Sequence, residues 1–172
     1  MRPAKVNGDA VTVARRIIAS RSIRVGFSPA DRRTAVPPAL QQIAAALAEI
    51  SQRGVAVVGA PASASEAGEE GSAQGIWTFT KKGPVSVFIP REAPEPGRWL
   101  TELTRLLKDS VATRELVLVD LTGLDAVGEL GGAAALVDAT CVVARARKTK
   151  EHDMERAAAR LPSDRFLGVL LV

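Results

Sequence analysis

LVLVDL, residues 116–121, is an unbroken apolar run of strand length closed by an aspartate. A strand with one wet face alternates apolar and polar residues; a strand buried on both faces does not. VAVVGA (55–60), CVVA (141–144) and LGVLLV (167–172) read the same way, and a shorter run, 23–26, precedes FSPADRRTA (27–35). Between the runs lie helical patterns. In PPALQQIAAALAEISQRG, Leu40, Ile43, Leu47 and Ile50 share one face, the prolines suit a first turn and Gly54 is expected to end the helix. Trp99, Leu103, Leu106 and Leu107 form the face of a second helix; Met154, Ala157, Ala158 and Leu161 form that of a third, with Thr149 as its expected N-cap. Strands and helices alternating in this order predict an α/β fold: an open, mainly parallel sheet flanked by helices.

The interruption PASASEAGEEGSAQG, residues 61–75, is small, polar and acidic and is expected to be a mobile surface loop. IWTFTKKGPVSVFI then reads as two strands about a KKGP turn. The 172 residues suit a single domain, 1–172. No apolar run is long enough to span a bilayer, and MRPAKVNGDA lacks an apolar signal segment, so the expected location is cytoplasmic.

Composition narrows the chemistry. Cys141 and His152 are the only cysteine and histidine, which excludes an intramolecular disulfide and a Cys/His zinc cluster. Cys141, inside an apolar strand, is expected to be plain core. Glu151, His152 and Asp153 are consecutive and point different ways on a helix, so no metal is expected there. The net charge is +4, but aromatics are 3% and tyrosine is absent, which leaves little surface for stacking bases and argues against nucleic acid. An acidic partner protein or lipid surface accounts for the charge equally well.

From Val85 onward the order of features, VSVFIPREAPEPGRWLTELTRLLKD, LVLVDLTGLD, ALVDATCVVARARKTKEHDMERAAARL and LGVLLV, resembles the cytoplasmic kinase domain of bacterial tyrosine kinases of capsule and exopolysaccharide synthesis. Those kinases are relatives of the MinD/ParA group of P-loop ATPases. The resemblance implies a P-loop-NTPase-like fold and places Asp120 at the Walker B aspartate. Asp138 falls at an "AD" position, residues 145–149 at a "raGKT" position and residues 168–170 in the last strand. It also places Arg32, Arg33 and Thr34 where such kinases carry Gly-Lys-Ser/Thr, with Asp31 beside them. The phosphate loop is therefore expected to be degenerate. A glycine lets backbone N–H groups wrap a phosphate, and lysine offers it a compact charge; arginine does neither. The strand 55–60 also runs into Gly59 and Pro61 where a second acidic pair is implied.

Phosphoryl transfer rests on positioning and on stabilisation by lysine and metal, so these losses predict no catalytic residue, no metal and no cofactor. With no tyrosine the chain cannot be its own tyrosine substrate. The implied role is a pseudokinase-like scaffold that binds a protein. By resemblance that protein is a polysaccharide co-polymerase, an active kinase paralogue or a second copy, and the chain sits peripherally at the inner membrane through it. Two surfaces are candidates: the helix carrying Gln42, Ala45 and Glu49, whose alanines would let another helix approach, and the basic stretch with Arg145, Arg147 and Lys148. Two other readings are a divergent ATPase using Arg33, Thr34 and Asp120, and a MinD/ParA-like positioning factor docking through its basic residues. Asp120 also reads as a carboxylate capping the loop TGLD.

Overall fold

A computed structural model describes residues 8–66, 72–95, 97–113 and 115–172. The chain runs α1 (Gly8–Ala19), β1 (Arg24–Pro29), α2 (Pro37–Ser51), β2 (Val55–Val58), β3 (Ser72–Gln74), β4 (Trp77–Lys82), β5 (Val85–Pro90), α3 (Arg98–Thr113), β6 (Leu116–Asp120), α4 (Leu130–Leu136), β7 (Ala139–Ala144), α5 (Glu151–Ala159) and β8 (Phe166–Leu171). Among the described residues one sheet holds eight strands, in the order β3-β4-β5-β2-β6-β1-β7-β8. From β5 to β8 the pairing is parallel; β3 and β4 extend it antiparallel at one edge.

The unbroken apolar runs are the central strands because each of their faces meets a helical layer. In β6, Leu116 and Leu118 face the core shared with α1 and α2, whereas Val117 and Val119 face the core shared with α3, α4 and α5. The expected α/β architecture is the one found. At Gly26, in mid-β1, a Cβ would lie 2.7 Å from Leu121 Cδ1, so the second core closes over this strand only because it lacks a side chain. In β8 a register shift against β7 coincides with Gly168, whose φ of 132° suits no other residue well.

Several local expectations are corrected. β1 reaches Pro29 rather than stopping at Gly26. α2 ends at Ser51, and Gln52, not Gly54, takes the left-handed cap, its N–H donating to the Ala48 carbonyl. Ile50 is 42% exposed because the last turn of α2 runs past the core that holds Leu40, Ile43 and Leu47. α5 is capped at Lys150 without a side-chain bond, since Thr149 is engaged elsewhere. Within the stretch expected to be a loop, Pro61–Glu66 forms 3-10 turns and β3 pairs with β4, while 67–71 fall outside the described residues. Helix α1 had no counterpart in the sequence reading; it packs on α2 and buries Ala10, Ala14 and Ile17. Cys141 is core, and burial, partly offset by the Arg16 charge, pushes its thiol up to about 12. Among the described residues no helix is long and apolar enough to cross a membrane.

Candidate functional site

β1 lies between β6 and β7, and the chain leaves it through α2 toward β2, on the far side of β6. From β6 it leaves through α4 toward β7, on the opposite side. The two exits diverge, and in open α/β sheets ligands settle in the crevice outside the strand ends where this happens. Here a cavity of about 580 Å³ occupies that crevice. The loop after β1 (Ser28, Asp31, Thr34), the loop after β6 (Thr122, Asp125) and α5 (Arg156) contribute to its wall.

The loop after β1 is organised by Asp31. Its Oδ1 accepts the Arg33 N–H at 2.8 Å, and its own carbonyl accepts the Thr34 N–H at 3.1 Å. Its Oδ2 accepts the Thr149 hydroxyl at 2.9 Å, and Arg145 Nη2 stands 3.4 Å from Oδ1. Thr149 Oγ1 in turn accepts the Arg145 N–H at 2.9 Å, so its proton is committed to Asp31. Burial pushes the Asp31 carboxyl up, but the bonds from Thr149 and the Arg33 N–H, the Thr34 hydroxyl and the Arg145 charge outweigh it and hold it below the ordinary aspartate value. A depressed value means that the cluster contributes stability above the ordinary aspartate range and loses it as pH falls through the depressed value.

The helix that follows offers an anion little. An anion at a helix start is met by free N–H groups of the first turn. Pro37 and Pro38 open α2, and neither has an N–H. Two loop N–H groups, those of Arg33 and Thr34, are already bonded to Asp31.

Of the residues expected at this site, Thr34 and Asp120 are buried and Arg32 and Arg33 exposed. Asp120, 1% exposed at the end of β6, accepts the Thr122 N–H at 2.9 Å and the Thr122 hydroxyl at 2.5 Å. Both bonds come from the first residue of the turn TGLD. Among the described residues no three acidic, histidine or cysteine side chains group as metal ligands. Asp138 ties the foot of β1 to β7 by accepting the N–H groups of Ile23 and Arg24 at 3.0 and 2.9 Å.

The basic stretch is not uniformly free. Arg145 is half-buried against Asp31, whereas Arg147 and Lys148 are exposed. On α2, Gln42 and Glu49 are exposed and Ala45 is partly covered, but Ala44, Ala46 and Ala48 are buried in the chain's own core. That core is shared with α1 and with the strands beneath α2. What the sequence reading missed is the link from Asp31 to Arg145 and Thr149. Its only sequence signal was an acidic residue in a loop expected to hold phosphate.

No protein-family model matches the chain, and no curated protein matches its sequence. Solved structures do share its fold. The kinase domain of Escherichia coli tyrosine kinase ETK superposes with a TM-score of 0.70 at 16% identity, over 99% of this chain and 81% of that one. The chimerical protein CapA2B2 gives 0.64 at 11% identity, over 98% and 84%. The BceF tyrosine kinase domain gives 0.62 at 12% identity, over 94% and 73%. The chain is similar in fold to all three, two of which are tyrosine kinase domains, across almost its whole length.

Proposed function

We propose that this chain keeps the tyrosine-kinase-domain fold as a non-catalytic, partner-binding scaffold. The observation that carries the reading is Asp31: a carboxylate of the chain itself takes the Arg33 N–H of the loop between β1 and α2 and the Thr149 hydroxyl, and α2 starts with two residues that have no N–H. A triphosphate placed there would meet a like charge and a loop in which the Arg33 and Thr34 N–H groups are already bonded. Arg33, at the lysine position of the resemblance, is exposed, and Asp120 is buried and accepts bonds from Thr122. The partner is a protein of exopolysaccharide synthesis or export, such as a polysaccharide co-polymerase or kinase paralogue, or a second copy of the chain. That partner holds the scaffold at the inner membrane. Gln42, Ala45 and Glu49 of α2 are one contact surface.

Mg-ATP decides between scaffold and divergent ATPase. A ligand at tenfold excess over its Kd raises the melting temperature of a domain this size by roughly 3–5 °C. Millimolar Mg-ATP should leave it where matched magnesium chloride does. A rise that Arg33→Ala removes would make the chain a nucleotide-binding protein and end the scaffold reading.

A second reading, docking to an acidic surface, is supported by a juxtaposition. The bonds of Asp31 to Arg145 and Thr149 bring the loops after β1 and β7 together, and with them exposed Arg32, Arg33, Arg147, Lys148 and Lys150. Among the described residues none of these five makes an ion pair. Such a rim steers acidic partners and is sensitive to salt.

A further inference from the structure

β8 is one margin of the sheet, and among the described residues no strand pairs with its outer side. Such a margin carries unpaired N–H and C=O groups that invite another strand, so margins are normally short, charged, bulged or covered. The opposite margin follows this rule: β3 has three residues, and the adjoining β4 ends in exposed Lys81 and Lys82. β8 does not. Its irregularity lies at its start; from Gly168 to Leu171 it pairs evenly with β7, and Phe166–Leu171 holds no charged residue. Seven large hydrophobic side chains are exposed among the described residues, and three of them, Val169, Leu171 and Val172, stand here.

The direction of the backbone is fixed. Val172 turns both its polar groups toward β7: its N–H donates to the Ala144 carbonyl at 2.9 Å, and its carbonyl accepts the Ala146 N–H at 2.8 Å. In a paired strand every second residue points the same way, so Leu171 and Val169 turn theirs outward. Beside them lies an open groove of about 430 Å³ between α5 and β8, where Met154, Ala158 and Phe166 join the Val169 and Leu171 side chains.

We infer that this margin is a twofold seam, at which β8 of a second copy adds antiparallel and extends the sheet across two chains. Centred on Leu170, the pairing sets Val169 of each copy against Leu171 of the other. Those are the residues whose N–H and C=O groups face outward, so each such pair exchanges two bonds. The same register sets exposed Val172 against Gly168, the one residue of the strand without a side chain. The Val169 and Leu171 side chains of both copies adjoin on one face, and the two grooves merge into one apolar layer between the α5 helices. A parallel twofold seam would put the α5 helices on opposite faces and leave each groove open. Charge agrees with the antiparallel one. The charged side chains lining the groove are Glu151 and Glu155, with Glu151 at the start of α5, which runs back along β8. Antiparallel addition keeps the two Glu151 carboxylates at opposite ends of the seam. Each then lies toward the other copy's Arg165, which is exposed and only loosely paired with Asp164, at 3.7 Å. The seam is distinct from the α2 surface and does not depend on the scaffold reading: Mg-ATP binding would defeat that reading and leave the seam in place.

The test is sedimentation equilibrium of the wild type, Leu171→Pro and Val169→Lys. The Leu171 N–H serves no bond to β7, so proline there removes an outward donor, and an edge strand whose N–H faces outward is where sheets accept proline. Lysine at exposed Val169 places a charge in the seam. The wild type should be a dimer at about 100 µM. Each variant should weaken it by roughly a hundredfold, because the twofold axis applies each change twice, and should keep the native circular-dichroism spectrum. In the wild type the Val169 and Leu171 amide protons should exchange more slowly as concentration rises and the dimer fills. A wild type still monomeric at about 100 µM overturns the inference. So does a dimer that either folded variant keeps at wild-type strength, a species that grows beyond two copies, or a dimer in which those two amides exchange as freely as in the monomer. Should both variants unfold, the amide measurement on the wild type decides alone.

Discussion

Replacing Trp99 by alanine should lower the stability of the folded chain by about 3–5 kcal/mol, the range for emptying a buried tryptophan site. Trp99 stands in the first turn of α3 with its side chain fully buried. Its indole N–H donates to the Gly59 carbonyl at 3.3 Å, just past β2. Its ring meets Trp77 of β4 edge-on, with centroids 6.5 Å apart and planes at 67°, a geometry favoured by the ring quadrupoles. One side chain therefore fastens α3, the end of β2 and the antiparallel edge of the sheet. At roughly 2–4 °C per kcal/mol for a domain of this length, the melting temperature should fall by about 6–20 °C. Trp99→Phe should lose less, because it keeps most of the volume and forfeits the bond to Gly59. A melt of Trp99→Ala within about 2 °C of the wild type would show that this junction is held by something else.

Gly26→Val should be nearly as damaging, for the opposite reason. It adds volume where the core has none. The first new carbon lies 2.7 Å from Leu121 Cδ1 and 3.3 Å from Val137 Cγ2, and both neighbours are themselves buried. Overpacking of this kind costs about 1–3 kcal/mol and occasionally more. Valine's preference for strands does not offset it in a central strand paired on both sides. The cause can be isolated by a double-mutant cycle: Leu121→Ala makes room, so the combined loss should be smaller than the sum of the single losses. Simple additivity in urea titrations would place the strain elsewhere.

These two positions show what the sequence did and did not disclose. The strands LVLVDL and CVVA were legible because burial on both faces leaves an unbroken apolar run, a signal carried by neighbouring residues alone. The face of α3 was legible for the same reason, since Trp99, Leu103 and Leu107 repeat at helical spacing and are all buried. Ile50 obeyed the same periodicity and still emerged exposed, because a pattern states which face is apolar and not how far the neighbouring core extends. Gln52 carries no signal of a left-handed cap, a position that glycine usually fills. Alanines 44, 45, 46 and 48 allow a close neighbour, but could not say whether it is another helix or the chain's own sheet. The least legible feature was the site itself. Asp31 and Thr149 are 118 residues apart, and no local pattern joins them until β1 and β7 lie side by side.

The edge-on pair of indoles also gives the molecule an uneven optical signature. The chain has two tryptophans and no tyrosine, so all its indole emission comes from one contact between β4 and α3. Indoles held in one fixed, asymmetric setting mark the near-ultraviolet dichroism. Both signals report the antiparallel margin of the sheet and are silent about the crevice at the ends of β1 and β6. Detachment of that margin would quench or red-shift the fluorescence while far-ultraviolet dichroism still recorded an intact parallel sheet, so non-coincident transitions in this protein would locate the part that opens first.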